Sequence, residues 1–155
     1  MKRVVLDTNV LVSSAYDELS ASWKIVEACM REELTAIVSP ALRGEYEEIL
    51  SKTVNVRGHE EQIRAFLAAA ETVHPATVPH VVQDDPEDDK VLAAAVEGKA
   101  DAVITNDRHL LNLDPYRPEG GSAPIRIVRP LTLENLRSEE RGSGWQDLAR
   151  LIGIR

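Results

Sequence analysis

The chain contains a single cysteine, few aromatic residues and no long apolar run, and each shortage excludes a class of protein. Cys29 is alone among 155 residues, so an intramolecular disulfide is impossible. Aromatic residues make up 4% of the chain, so the core must consist mainly of Val, Leu, Ile and Ala. No apolar segment approaches the roughly 20 residues of a membrane span, and the first residues lack the layout of a signal peptide. We therefore expect a cytoplasmic protein without a membrane partner.

The net charge of −8 has the wrong sign for a general nucleic-acid binder. An acidic enzyme can still act on phosphates if its acids gather where a cation binds, because the cation then presents positive charge to the phosphate. The alternative is that the acids form a solvated surface. The positions of the acidic residues have to decide between these two interpretations.

Short apolar runs alternate with helical patterns along the chain. Strands are predicted at 4–6, 34–38, 78–82, 102–104 and 125–128. Helices are predicted after Asn9 and over 20–31, 40–50, 60–70 and 85–98, and several of them begin at a capping residue. Strands that alternate with helices predict an α/β domain with a mostly parallel sheet.

The sequence predicts one main domain, residues 1–140, and a short C-terminal tail, residues 141–155. The boundary is expected at the glycine-containing segment 142–144. The segment that follows carries an apolar stripe, which we expect to pack on the core or on a partner: Trp145, Leu148, Leu151 and Ile152.

Four acidic residues stand where the predicted strands give way to helices. Asp7 ends the first strand, and Asp107 comes just past the fourth. Asp88 lies in the first turn of the helix after the third strand, and Glu45 lies in the second turn of the helix after the second. In open α/β sheets, ligands bind at the carboxyl ends of the strands. All four acids are therefore expected along one edge of the sheet.

Glu45 adds information because of the helix face on which it lies. It belongs to the inward-facing stripe of its predicted helix, with Leu42, Tyr46 and Ile49, whereas Glu48 points elsewhere. A carboxylate turned toward the edge of a core is costly unless it is paired or bound to a metal. The sequence indicates no basic partner for it, so a bound cation is the favoured interpretation.

Carboxylate oxygens are the ligands that Mg²⁺ and Mn²⁺ prefer, and one or two such ions support hydrolysis of phosphodiester bonds. Each acid also has a purely structural explanation. Asp7 could close a turn, Asp88 could stabilise a helix start, and Asp107 could cap the short helix 108–111. Four separate roles along one edge are a poorer explanation than one shared site.

Other chemistries fit the sequence less well. The four histidines show no paired zinc-ligand spacing, and no Gly-x-Ser-x-Gly nucleophile elbow is present. A phosphotransferase of the haloacid-dehalogenase type needs an acid where the chain has Asn9. A response-regulator receiver needs a lysine after its fifth strand, where the chain has Arg129 and Pro130.

Four segments taken together resemble the PIN-domain family: residues 4–11 (VVLDTNVL), 44–50 (GEYEEIL), 85–90 (DPEDDK) and 105–111 (TNDRHLL). The resemblance covers about residues 2–135. It implies a three-layer α/β/α sandwich with a five-stranded parallel sheet, and a Mg²⁺- or Mn²⁺-dependent ribonuclease. In prokaryotes such proteins are typically toxins of toxin–antitoxin pairs and are often dimeric. An RNA substrate, an antitoxin partner and a homodimer are therefore implied.

The family's four acids carry over onto Asp7, Glu45, Asp88 and Asp107. Thr8, Asn9 and Thr105 are then the residues that orient these carboxylates. The third acid is open between two neighbours, since Asp88 and Asp89 are adjacent. Asp88 is preferred because seven residues further on the chain has Ala95, where the family usually has a small residue, and Asp89 then supports the site. Asn106 departs mildly from the small residue that the family often has there.

Two other functions stay open at this point. One is a non-catalytic PIN-like module that binds RNA or an antitoxin, and the other is a metal-dependent nuclease that acts on DNA. Arg43, Lys90 and Arg108 could hold phosphates near the acids, or could be ordinary surface residues. The RNA target and its sequence preference are not readable from the sequence.

Overall fold

The structure is a computed structural model that describes residues 1–53, 58–76 and 89–153, with side chains apart from those of 53 and 143–151. Its strands are β1 (Arg3–Leu6), β2 (Thr35–Val38), β3 (Glu71–Thr72), β4 (Ala102–Ile104) and β5 (Arg126–Val128). Its helices within these residues are α1 (Thr8–Tyr16), α2 (Ala21–Met30), α3 (Pro40–Thr53), α4 (His59–Ala69), α5 (Asp89–Glu97), α6 (Arg108–Leu111) and α7 (Pro130–Leu151). No helix of the described part combines the length and the apolar character that crossing a membrane requires.

The five strands form one parallel sheet in the order β3-β2-β1-β4-β5. The chain builds outward from β1 through β2 to β3, and then returns to the other side of β1 for β4 and β5. The direction of winding therefore reverses between β1 and β4, which makes the carboxyl ends of these two strands the topological switch point of the sheet. The predicted α/β fold with a mostly parallel five-stranded sheet is confirmed.

Both faces of the sheet are covered, as the burial of β1 shows. Val4, Val5 and Leu6 are at most 1% exposed, although neighbouring side chains of a strand point to opposite faces. The helix α5 packs on β1, β2 and β4, and the core is largely aliphatic. Tyr46 and Phe66 are its fully buried aromatic residues and meet edge to face, with ring centroids 6.4 Å apart.

The strand β3 is one that the sequence did not predict. It consists of Glu71 and Thr72, which are exposed and pair with Ile37 and Val38 of β2. Two exposed polar residues carry no apolar pattern, so pairing with β2 alone reveals this strand. The predicted strand 78–82 and the predicted helix start 85–88 lie outside the described residues.

The C-terminal helix α7 passes through the expected boundary at 142–144 without a break in its backbone. Its first half is joined to the rest of the domain by a partly buried ion network. Glu134 accepts hydrogen bonds from Arg137 (3.1 Å) and Arg141 (3.2 Å), and Arg137 also donates to Glu33 in the turn before β2 (2.8 Å). A separate tail over 141–155 stays a prediction.

Gly98 follows α5 and is buried against β2. A Cβ atom at this position would lie 2.5 Å from Cγ2 and 2.8 Å from Cδ1 of Ile37. The left-handed residue that closes the helix is Lys99, whose φ is 50°. The glycine is therefore required by the close approach of helix and strand and not by its own backbone conformation.

Replacing Gly98 with alanine is expected to lower the free energy of unfolding by about 1–3 kcal/mol, because Ile37 or the helix end must shift. Gly44 is the matched control, since a Cβ there meets nothing within 4 Å inside α3. Gly44→Ala should stabilise the protein by about 0.5–1 kcal/mol. Urea denaturation of both variants measures the two effects. Equal behaviour of the two alanine variants would contradict the packing argument.

His59 is buried at the start of α4, and its Nε2 atom has no hydrogen-bond partner. Burial lowers the pKa of its imidazole, and the contact with Gln62 opposes this in part. The folded protein thus favours the neutral ring. Below the pKa of about 6.5 for an unfolded histidine, the unfolded chain binds the extra proton, so stability falls on acidification.

The stability advantage of the wild type over a His59→Leu variant is therefore expected to shrink as the pH is lowered from 7.5 to 5.5, by at most about 1.4 kcal/mol per pH unit. The exposed His74 provides the control variant His74→Leu. Denaturant titrations at several pH values measure this difference. A His59→Leu penalty that is constant with pH would show that His59 is not the titrating group.

Candidate active site

The switch point of the sheet carries two of the predicted acids. Asp7 directly follows β1, and Asp107 lies three residues beyond the end of β4. The register pairs Leu6 with Ile104, so Asp7 and Thr105 leave the sheet side by side. The amide of Asp7 donates to the carbonyl of Ile104, which continues the ladder to the edge (2.9 Å).

The carboxylate of Asp7 is 7% exposed and is held by three donors. Its Oδ1 accepts from the amide of Thr8 (2.8 Å), so Asp7 also caps α1. Its Oδ2 accepts from the Thr105 hydroxyl (2.7 Å) and from Nδ2 of Asn9 (3.1 Å). Hydrogen bonds of this kind offset the loss of hydration of a buried carboxylate and fix its orientation.

Thr8 contacts both Glu45 and Asp7. The hydroxyl of Thr8 donates to Oε2 of Glu45 (2.9 Å), while the amide of Thr8 donates to Asp7. Glu45 is half-buried, whereas the next acids on α3, Glu47 and Glu48, are exposed. The structure thus gives Glu45 the inward-facing position that the helical pattern predicts.

Asp107 is connected to Asp7 through Thr105. The Thr105 hydroxyl accepts the amide of Asp107 (2.9 Å) and donates to Asp7. Thr105 is fully buried, so this link is shielded from water. Asp107 also caps α6 by accepting the amide of His109 (2.9 Å), the structural role considered for it from the sequence.

Asn9 joins the two loops that follow β1 and β4. Its Nδ2 donates to Asp7, and its Oδ1 accepts the amide of Asn106 (3.3 Å). Thr8, Asn9 and Thr105 therefore each contact a carboxylate or the loop that carries one.

The third acid is only partly described. Asp89 is 4% exposed in the first turn of α5. Asp89 also lies near Tyr116. The pKa of the Tyr116 phenol is raised, mainly by burial and then by the charges of Glu119 and Asp89. Asp88 lies outside the described residues, and the choice between Asp88 and Asp89 stays a prediction.

Tyr46 is a residue of this site that the sequence placed only in the core. It is fully buried, and its hydroxyl donates to the carbonyl of Leu6, the residue before Asp7. Burial, then the charges of Asp7 and Glu45, raise the pKa of this phenol well above its usual value. The signal in the sequence was a tyrosine on an inward stripe, because its hydroxyl needs a polar partner there.

The donor set fits a hard divalent cation in its chemistry, since Asp7, Glu45 and Asp107 offer carboxylate oxygens. The hydroxyls of Thr8 and Thr105 hold these groups at one edge of the sheet. Within the described residues, no three acidic, histidine or cysteine side chains form a ready metal cluster. Asp88 lies outside the described residues, so its part in a metal site stays a prediction.

The fold and the carboxylates at its switch point define an α/β protein with an acidic site at the sheet edge. A family model of the PIN domain matches residues 3–109, more than half of the chain, and the chain belongs to this family. The resemblance seen in the four sequence segments is thereby confirmed. Members of the family are generally nucleases.

Several known proteins are similar to this chain. The uncharacterised protein MJ1680 of Methanocaldococcus jannaschii is 29% identical over 117 residues, which cover 72% of this chain and 74% of that protein. The crystal structure of PAE2754 from Pyrobaculum aerophilum superposes with a TM-score of 0.50 at 15% identity, and covers 85% of this chain and 86% of the other. This second likeness supports the fold alone.

A further solved structure is VapBC2 from Rickettsia felis bound to a DNA fragment from its promoter. The TM-score is 0.47 at 15% identity, with 68% of this chain and 88% of the other covered.

Replacing Thr105 with valine tests the link between the carboxylates. Valine keeps the shape but removes the donor to Asp7 and the acceptor for the Asp107 amide, so we expect a loss of about 1–3 kcal/mol in the free energy of unfolding. The control Thr105→Ser keeps the hydroxyl and should lose about 1 kcal/mol or less. Chemical denaturation without added metal measures both. If valine cost no more than serine, the hydroxyl network would not hold the site.

Proposed function

We propose that this chain is a Mg²⁺- or Mn²⁺-dependent endoribonuclease that hydrolyses phosphodiester bonds. The observation that carries the proposal is the buried carboxylate of Asp7, which Thr8 connects to Glu45 and Thr105 connects to Asp107. Membership in a family that consists generally of nucleases and the acidic site at the switch point both support this proposal. Beyond capping α1 and α6, Asp7 and Asp107 share contacts with Thr105, and Asp7 and Glu45 share contacts with Thr8.

Asp7, Glu45, Asp88 and Asp107 would hold the cation. When bound, a divalent cation supplies an activated water and neutralises charge on the phosphate. The chain's own residues hold the acidic side chains in place. Thr8 and Thr105 both donate to Asp7, Thr8 also donates to Glu45, and Thr105 accepts the backbone amide of Asp107.

Basic side chains near the acids would position the substrate. Arg43 is half-buried on α3 before Glu45, and Arg108 is exposed directly after Asp107. We propose that these two residues, with Lys90, contact phosphates on either side of the scissile bond. These basic side chains would attract the phosphates of the substrate, although the protein as a whole is acidic.

The biological role proposed for the enzyme is that of the toxin in a toxin–antitoxin pair. The sequence resemblance implies this role, together with a homodimer, an antitoxin partner and action in the cytoplasm. The 2′-hydroxyl of RNA takes no part in metal-assisted attack by water, so cleavage of DNA and binding without cleavage are outcomes that the experiment must distinguish.

We expect the wild-type protein to cleave a fluorescent single-stranded RNA in Mg²⁺ or Mn²⁺ and to stop when a chelator is added. Asp7→Asn, Glu45→Gln and Asp107→Asn should each lower the rate on the order of 100-fold, because each removes a charge from the cation site. Glu48→Gln is the matched control, an exposed glutamate on the same helix as Glu45. Comparing Asp88→Asn with Asp89→Asn identifies the third acid.

Cleavage by Asp7→Asn at the wild-type rate would overturn the assignment. Parallel DNA substrates decide between RNA and DNA, and binding without cleavage by the wild type would support the non-catalytic module. Induction of the wild-type protein, but not of Glu45→Gln, should arrest growth of a host strain if the protein is a toxin. Light scattering of the purified protein gives its oligomeric state.

A further inference from the structure

A cavity opens at the same edge of the sheet as the acids. Its volume is about 280 Å³, near the lower end of the range of small-ligand pockets. Its floor is formed by Ser39, which directly follows β2, and by Ala93 of α5, and both residues are buried. Because Ser39 ends a strand of the parallel sheet, the cavity lies on the carboxyl side of the sheet.

The cavity lies close to Glu45 along α3. Ala41 lines the cavity and lies four residues before Glu45, so the two side chains occupy one face of the helix about 6 Å apart along its axis. On the opposite wall, Lys90 follows Asp89 in the first turn of α5. Both helices that bring predicted metal-binding acids to the site therefore also line this cavity.

The walls combine apolar surface with basic side chains. Pro40, Ala41 and Pro75 supply the apolar part, and His74 and Lys90 supply nitrogen atoms. Lys90 of α5 and Ala41 of α3 line the same cavity, so a ligand in it would meet both the lysine and the apolar surface. Flat apolar surface beside a lysine matches a nucleotide, which has an apolar base face and an anionic phosphate.

We propose that this cavity binds one nucleotide of a single-stranded nucleic acid, with its base against Pro40 and Pro75 and its phosphate at Lys90. The proposal rests on the proposed nuclease function, and it extends the site from the scissile phosphate to a neighbouring nucleotide. It gives a chain of net charge −8 a further contact to a polyanion, where a lysine lies beside apolar surface. A duplex cannot enter, because its bases are stacked and paired.

The test measures binding of a fluorescein-labelled single-stranded RNA decamer by anisotropy in chelator, so that cleavage does not interfere. Lys90→Gln removes the charge, and Ala41→Phe fills the cavity from an exposed position. Each change should weaken binding by about five- to tenfold, and Lys90→Gln should reduce the salt dependence of log K by about 0.7.

Each variant has a matched control. Lys2→Gln removes an exposed lysine at the opposite edge of the sheet, and Ala65→Phe adds the same ring to an exposed position of α4. Both controls should bind the decamer as the wild type does. Wild-type affinity in Lys90→Gln and Ala41→Phe would overturn the subsite, and so would equal weakening in the controls.

A second substrate distinguishes failure of the nucleotide subsite from failure of the proposed nuclease function. Bis(p-nitrophenyl) phosphate carries one phosphodiester and no nucleotide, so its hydrolysis in Mn²⁺ reports the acids alone. We expect Ala41→Phe to hydrolyse it at the wild-type rate while it binds RNA weakly. Absence of hydrolysis by the wild type would contradict the proposed nuclease function. The anisotropy data would still show whether the cavity binds a nucleotide. A DNA decamer of the same sequence shows which nucleic acid the cavity prefers.

Discussion

A buried carboxylate whose oxygens need hydrogen-bond donors is the constraint on which this structure depends. Asp7 is almost fully removed from water, and an ionised carboxylate in that position is strongly unfavourable unless donors surround it. The chain meets this requirement with the Thr8 amide, the Thr105 hydroxyl and the Asn9 amide group, all from the two loops at the switch point. The hydroxyl of Thr8 also donates to Glu45, and the hydroxyl of Thr105 accepts the backbone amide of Asp107, so the stability of the fold and the placement of the acids share one network.

The electrostatic character of the protein follows from where its charges lie. With 26 acidic and 18 basic side chains, the chain as a whole repels nucleic acid. Asp7 and Glu45 act together on the buried phenol of Tyr46, whose pKa is raised by burial and by both carboxylates. Acidic side chains gathered at one edge repel a phosphate by themselves, which is why the proposed nuclease function requires a cation there. The acidic composition is thus compatible with a phosphodiester substrate.

The sequence predicted those elements whose signal is local. The strand 102–104 agrees with the structure because it is a continuous apolar run, and α2 begins after Ser20, whose hydroxyl accepts the amide of Trp23. The strand Glu71–Thr72 could not be predicted, because only pairing with β2 defines it. The orienting threonines were implied by the family resemblance and not by pattern. The contact between Tyr46 and Leu6 depends on how α3 crosses β1, which no local rule gives.

The pairing of β1 with β4 also determines where the length of the chain can change. The register pairs Leu6 with Ile104, and this pairing places the Thr105 hydroxyl within hydrogen-bond distance of Asp7. Adding or deleting one residue inside either strand would turn the following side chains to the other face of the sheet. The exposed segment 119–124 carries no such alignment, so an insertion there should cost little in folding free energy. Among the residues that the structure describes, changes of length are therefore tolerated least where the two central strands end, and much better in that exposed segment.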